Sequence, residues 1–435
     1  MPRTRIARLL AAATIAVTAA APPASAVTPP PVDRTLVPAP APATPERPTV
    51  QREVCAVGTL GPGAAPTQLA GLDLAAAWAL TRGAGQRVAV IDTGVAPHRR
   101  LPGLIGGGDY VSTGDGTRDC DGHGTLVAGI IAAAADPVTD GFSGVAPLAT
   151  VIGIRASSTR FAALGDAAGI GDVDILAKAV RTAADLGASV INISTVACRP
   201  ARTGLDDRAL GAALAYAVEI KNSVVVAAAG NTDQGCGAQE PMIVTPAWYD
   251  NYVLTVGSVN SRGVASAFTL PGPWVDVAAP GEAVLSLSTV GDALADTLDD
   301  SPLSGTSFAA PVVSGLAALI RSRFPQWTPH QVMDRIRATA HHPPGGRDDL
   351  VGAGVVDVLA ALTFDVATSA EPPRPAPPLS RPAPDLEPAA EAAPAGLRTA
   401  IVGTAALLAL LLAALTGRAL SGRAPRPGSA SPGHD

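Results

Sequence analysis

Between residues 50 and 364 the chain alternates two hydrophobic rhythms. Short runs rich in Val, Ile and Ala, at 87–91, 150–154, 189–193 and 223–228, are apolar at nearly every position, the pattern of strands buried on both faces. Longer stretches at 124–134, 173–187, 207–222, 307–323 and 329–340 carry apolar residues at helical spacing. Strands that alternate with helices predict an α/β domain around a mainly parallel sheet with both faces covered. No repeat of solenoid period is visible, so one large domain is expected, over 67–364.

The flanks follow other rules. Arg3, Arg5 and Arg8, an apolar run over 9–21 and the small residues Ala24, Ser25 and Ala26 form a secretory signal pattern. Residues 1–26 are therefore expected to be removed, leaving a mature chain that begins near Val27. Residues 27–66 are rich in Pro, Ala and Thr and read as an extended arm. Residues 365–398 repeat that character, with EPPRPAPPLSRPAP at their centre, and read as a semi-rigid stalk. The uncharged run over 399–416 is long enough to cross a hydrocarbon core of about 30 Å, so 399–417 is a predicted transmembrane helix. Arg418, Arg423 and Arg426 follow it and only Arg398 adjoins its start, which predicts a cytoplasmic tail over 418–435 and a body outside the cell membrane.

With 31 basic and 37 acidic residues the net charge is −6, and no basic block interleaved with aromatics appears. Nucleic acid is thereby excluded as an expected partner. Cys55, Cys120, Cys198 and Cys236 all fall in the exported part, where disulfides persist. Four cysteines allow three connectivities, and spacing alone does not choose among them. No close Cys pair suggests zinc, and no Asp-rich loop has calcium-binding spacing. His98, His330, His341, His342 and His434 are assigned no metal, and no cofactor is expected.

Four segments carry candidate chemistry. In VAVIDTGV, Asp92 emerges at the carboxyl end of a buried strand, where open α/β sheets place their sites. In DCDGHGTLVAGIIAA, His123 stands between glycines at the start of an apolar helix, where backbone can come close. In VVVAAAGNTD an apolar strand ends at Gly230 and delivers Asn231, whose amide can hydrogen-bond a developing oxyanion. In SGTSFAAPVVSGLAALI, Ser307 heads a helix with free N–H groups and a positive dipole end. Pro311 is tolerable only near the first turn of a helix, which places Ser307 at its start. A cap or a turn explains each residue singly. Four such accidents in the order Asp, His, Asn, Ser do not explain the set.

Asp92-Thr93-Gly94, His123-Gly124-Thr125 and Gly305-Thr306-Ser307 with Ala309, Ala310 and Pro311 resemble the three motif blocks of subtilisin-like serine proteases, over most of residues 50–364. The resemblance implies a subtilisin-like α/β fold, a mainly parallel sheet flanked by helices, followed here by one C-terminal transmembrane helix. It also implies acyl transfer, with Ser307 as nucleophile, His123 as proton carrier, Asp92 as its orienting partner and Asn231 in the oxyanion hole. By similarity, Ser194 lines the primary specificity pocket. The signal sequence, arm, Cys55, the INISTVAC segment, stalk and single C-terminal helix resemble those of the mycosins, membrane-anchored proteases of actinobacterial type VII secretion systems. That likeness implies bridges Cys55–Cys120 and Cys198–Cys236, protein substrates, and secretion-system membrane components and the cytoplasmic membrane as partners. The arm is too short and too polar for a folded, removable prodomain, so it is expected to stay attached. A structural role in stabilising the secretion complex is the second reading beside proteolysis.

Overall fold

In a computed structural model of the chain, the residues described are 27–61, 67–232, 236 and 241–363. The expected signal sequence, stalk, transmembrane helix and tail lie outside them. Among the described residues no helix is long and apolar enough to cross a membrane.

The centre is a seven-stranded sheet of β1 (Arg87–Asp92), β2 (Ile105–Asp109), β3 (Thr150–Arg155), β4 (Val190–Ile193), β5 (Val224–Ala228), β6 (Leu254–Val259) and β7 (Val277–Pro280). Their order across the sheet is β7-β6-β5-β4-β1-β3-β2, and every neighbouring pair is parallel. Every residue of β4, β5 and β6 is buried, because helices cover both faces. The fold is the mainly parallel sheet flanked by helices that the motif blocks imply.

Three strands escape the hydrophobic pattern for local reasons. IGGGD in β2 has one apolar side chain, LTVGSV in β6 is broken by Thr, Gly and Ser, and VAAP in β7 is four residues long. Neighbouring strands complete them, a tertiary effect that local composition does not register.

The helices that matter for the site are α1 (His123–Ala132), α2 (Val173–Asp185), α3 (Arg208–Ala215), α4 (Thr306–Arg323) and α5 (Pro329–Ala338). α4 is apolar or small almost all round and is buried almost all round, as the central helix of a large core must be. It packs on β4, β5, β6 and β7 and against α1. Pro311 is the sixth residue of α4, in its second turn and thus near the first, and Ser307 is the second.

From β1 the chain runs to the far edge at β2, returns through β3 and crosses to β4 on the other side of β1. The strand order therefore reverses between β1 and β4. Open α/β sheets have their crevice at such a reversal, outside the carboxyl ends of the strands.

The arm lies along the domain. Thr49–Gln51 pairs antiparallel with residues 161–163, and Gly58–Thr59 pairs with Thr297–Leu298. Cys55 is bonded to Cys120, and the Ala56 N–H donates to the Cys120 carbonyl at 2.8 Å. Cys198 is bonded to Cys236.

Candidate active site

Asp92 is the last residue of β1 and is fully buried. The start of α1 approaches it so closely that a Cβ on Gly124 would lie 2.0 Å from the Gly94 carbonyl oxygen and 3.1 Å from the Asp92 Cβ. Only glycine fits there, and the fit brings His123 to Asp92. His123 Nδ1 lies 2.7 Å from Asp92 Oδ1, which also accepts from the Thr93 N–H at 2.7 Å.

The loop before α1 is held by a second carboxylate. Asp119 accepts from the Thr93 hydroxyl, the Gly122 N–H and both the N–H and the hydroxyl of Thr125. The Gly124 N–H in turn donates to Thr93 Oγ1 at 3.0 Å. Asp121 accepts from Thr159 and from the Arg160 N–H, which ties the same loop to the hairpin that carries the arm. Burial pulls the His123 pKa down, but the Asp92 charge and hydrogen bond outweigh it, with Asp119 and Asp121 adding to the pull, and the net direction is up. Its ring remains partly open to solvent and lies 5.1 Å from the ring of Phe308, centroid to centroid.

Ser307 is in the first turn of α4, where main-chain N–H groups lack helical partners. Asn231 follows Gly230, whose φ of 99° turns the chain after β5. The Asn231 Oδ1 accepts from the Thr306 N–H at 3.1 Å and from the Thr306 hydroxyl at 2.9 Å. This fixes the amide so that Nδ2 is the free end. A Cβ built on Gly305 would lie 3.4 Å from that nitrogen and 3.1 Å from Ser307 Oγ, so the two groups border one small space that glycine leaves open.

Asp92, His123, Ser194, Asn231 and Ser307 line a single cavity of about 430 Å³. A cavity of similar size, about 470 Å³, lies beside Gln68 and His341 and contains none of them. Ser194 borders the first cavity but is 6% exposed, and its hydroxyl points inward to the Ser307 carbonyl at 2.9 Å. Among the described residues, no group of three or more His, Cys, Asp or Glu could hold a metal ion.

Several supporting residues were not singled out from the sequence. Thr306 orients Asn231, Asp119 and Thr93 shape the His123 loop, and Asn192 donates to Ser194 Oγ at 2.8 Å. Thr93 and Thr306 stand inside the quoted motifs, but a threonine beside a candidate residue carries no periodic signal. Asn192 in the apolar run VINIS did carry one: a buried amide needs partners.

The arrangement suits acyl transfer: a carboxylate-bound imidazole, a hydroxyl at a helix start, and an amide N–H aimed at the same space. Comparison with known proteins agrees. Residues 83–354 match the model of the subtilase family, peptidase family S8. The chain is 56% identical to Mycosin-4 of Mycobacterium tuberculosis over 98% of each chain. Among solved structures, it resembles the MycP3 protease of the type VII (ESX-3) secretion system at 45% identity, with a TM-score of 0.72, over 78% of this chain and 100% of that one. It also resembles a chain of an intact ESX-5 inner membrane complex at 40% identity, with a TM-score of 0.73, over 91% of this chain and 100% of that one. The chain belongs to the subtilase family of serine endopeptidases and, within it, to the mycosins.

Proposed function

We propose that the chain is a membrane-anchored endopeptidase that cleaves selected proteins outside the cytoplasmic membrane, most of all those exported by a type VII secretion system. The observation that carries the reading is the 2.7 Å pair of His123 and Asp92 in the same cavity as Ser307 and Asn231. Ser307 Oγ attacks the scissile carbonyl while His123 Nε2 takes its proton and later returns it to the leaving amine. Asp92 holds the imidazole in the tautomer with Nδ1–H and stabilises its charged form. The Asn231 Nδ2 group and the Ser307 N–H bind the oxyanion. Water then attacks the acyl-enzyme, with His123 again as base.

The tether is read from the sequence: a Pro-rich stalk and an uncharged run with arginines after it. A tethered protease meets only what is brought to it. The test is to compare released and surface proteins from cells that carry wild-type Ser307 or Ser307→Ala. New protein termini confined to the wild type support the reading; identical termini overturn it.

A second role, stabilising the secretion complex, is favoured by the likeness over 91% of this chain to a chain within an ESX-5 inner membrane complex. Secretion that survives Ser307→Ala but fails when the whole chain is absent supports that role.

A further inference from the structure

We infer that Ser194 is a positioning residue for the nucleophile, supplying to the Ser307 carbonyl the hydrogen bond that Pro311 withholds from it; the inference rests on Ser307 being the nucleophile. In an α-helix the carbonyl of residue i accepts from the N–H of residue i+4. For Ser307 that residue is Pro311, which has no N–H and whose ring crowds the carbonyl four residues before it. The i+4 helical bond is therefore missing at the peptide group that follows the nucleophile. Ser194 Oγ donates to that carbonyl at 2.9 Å, across 113 residues of sequence.

The donor is itself held. Asn192 Nδ2 donates to Ser194 Oγ at 2.8 Å, which leaves the Ser194 hydrogen to point at Ser307. Asn192 Oδ1 accepts from Ser314 Oγ at 2.8 Å. Asn192 and Ser314 are fully buried, where a hydrogen bond is electrostatically stronger than in water. Its geometry follows from two periodicities. Asn192 and Ser194 are two apart at the end of a strand and share a face, and Ser307 and Ser314 are seven apart on a helix and share a face. α4 is thus registered on β4 by polar contacts at both ends of its first two turns, and the Ser307 N–H and Oγ inherit that register.

The role differs from lining a specificity pocket, and the two predict different kinetics. A fluorophosphonate probe reads the nucleophile directly, through its limiting labelling rate and its half-saturating concentration, on the full-length protein. For Ser194→Ala the limiting rate is expected to fall roughly ten- to a hundred-fold, the scale of a sub-ångström to ångström misplacement, with half-saturation changed less than about two-fold. Ser194→Thr, which keeps the hydroxyl, retains most of the rate. Pro311→Ala restores the helical N–H, so in that background Ser194→Ala is expected to cost less than about three-fold.

An equal loss from Ser194→Ala in both backgrounds overturns the inference, as does a change in half-saturation with the limiting rate intact. Should Ser194→Ala not fold, Ser194→Cys carries the same comparison, because a thiol is a weaker donor of similar shape. Failure of the wild type to label would instead overturn the assignment of Ser307 as nucleophile.

Discussion

Thr306 clamps the amide of Asn231 from two sides, through its own N–H and its hydroxyl, both directed at Oδ1. The donor half of the amide is left free beside Ser307. Asn231 thereby faces the site in one orientation before any substrate arrives, and a preorganised donor costs no reorganisation in the transition state. Asn231→Ala should lower kcat by about 10²–10³-fold. Thr306→Val, which keeps the shape and the main-chain N–H, should cost about five- to ten-fold, the scale of one neutral hydrogen bond. Steady-state kinetics on one peptide substrate check both. Equal losses would show that Thr306 does more than orient the amide.

The pH profile follows from the raised His123 pKa. A general base works neutral, so activity rises as pH passes upward through that pKa. The midpoint of the acidic limb of kcat/KM should therefore lie above the ordinary imidazole value of 6.5. Asp92→Asn removes the charge that holds it up and should move the limb to lower pH while kcat falls on the order of 10⁴-fold, because the imidazole loses its tautomer. A limb that stays in place would mean that another group sets it.

Asp276 offers a test of stability rather than activity. It is buried at the start of β7, and its carboxyl bonds Arg337 at 2.8 Å and the Thr255 N–H at 2.7 Å. Burial pushes its pKa up to about 6, against the pull of Arg337. The folded state then keeps a proton that the unfolded state loses near the ordinary value of 3.8. This contribution is complete below pH 3.8, declines as pH rises towards 6 and is absent above it, about 3 kcal/mol in all. Unfolding midpoints of wild type and Asp276→Asn across pH 4–7 should differ in slope over that window and run parallel above it.

The Cys55–Cys120 bridge closes a span of 65 residues and joins the arm to the loop that ends at His123. Chain entropy alone assigns such a cross-link about 4 kcal/mol. Replacing both cysteines by Ser should lower the thermal midpoint and slow fluorophosphonate labelling, since Cys120 is three residues from His123. A lower midpoint with labelling unchanged would confine the bridge to stability.

Much of the fold is legible in the sequence where burial is complete. β1, β3, β4 and β5 announce themselves because nearly every position is apolar, and α4 because it is apolar or small almost all round. β2 and β6 are not legible, since Gly, Thr and Ser become strand residues there through pairing with a neighbouring strand, and β7 is only four residues long and ends in Pro. The motifs also singled out Asp92, His123, Asn231 and Ser307 as candidates, which the fold brings to one cavity, but not Thr306, Asp119 or Asn192 as their supports.

The difference has one physical reason. A sequence by itself determines which residues share a face, through periods of two and 3.6, and which residue types are chemically competent; that singled out four candidate groups, and the resemblance of their motifs implied the kind of reaction. Which faces meet is decided only when the sheet reverses between β1 and β4 and α4 settles over it. Ser194 shows the consequence. The family resemblance marks it as a residue beside the cleft, and only the packing of α4 on β4 turns its hydroxyl to the carbonyl whose i+4 residue is Pro311.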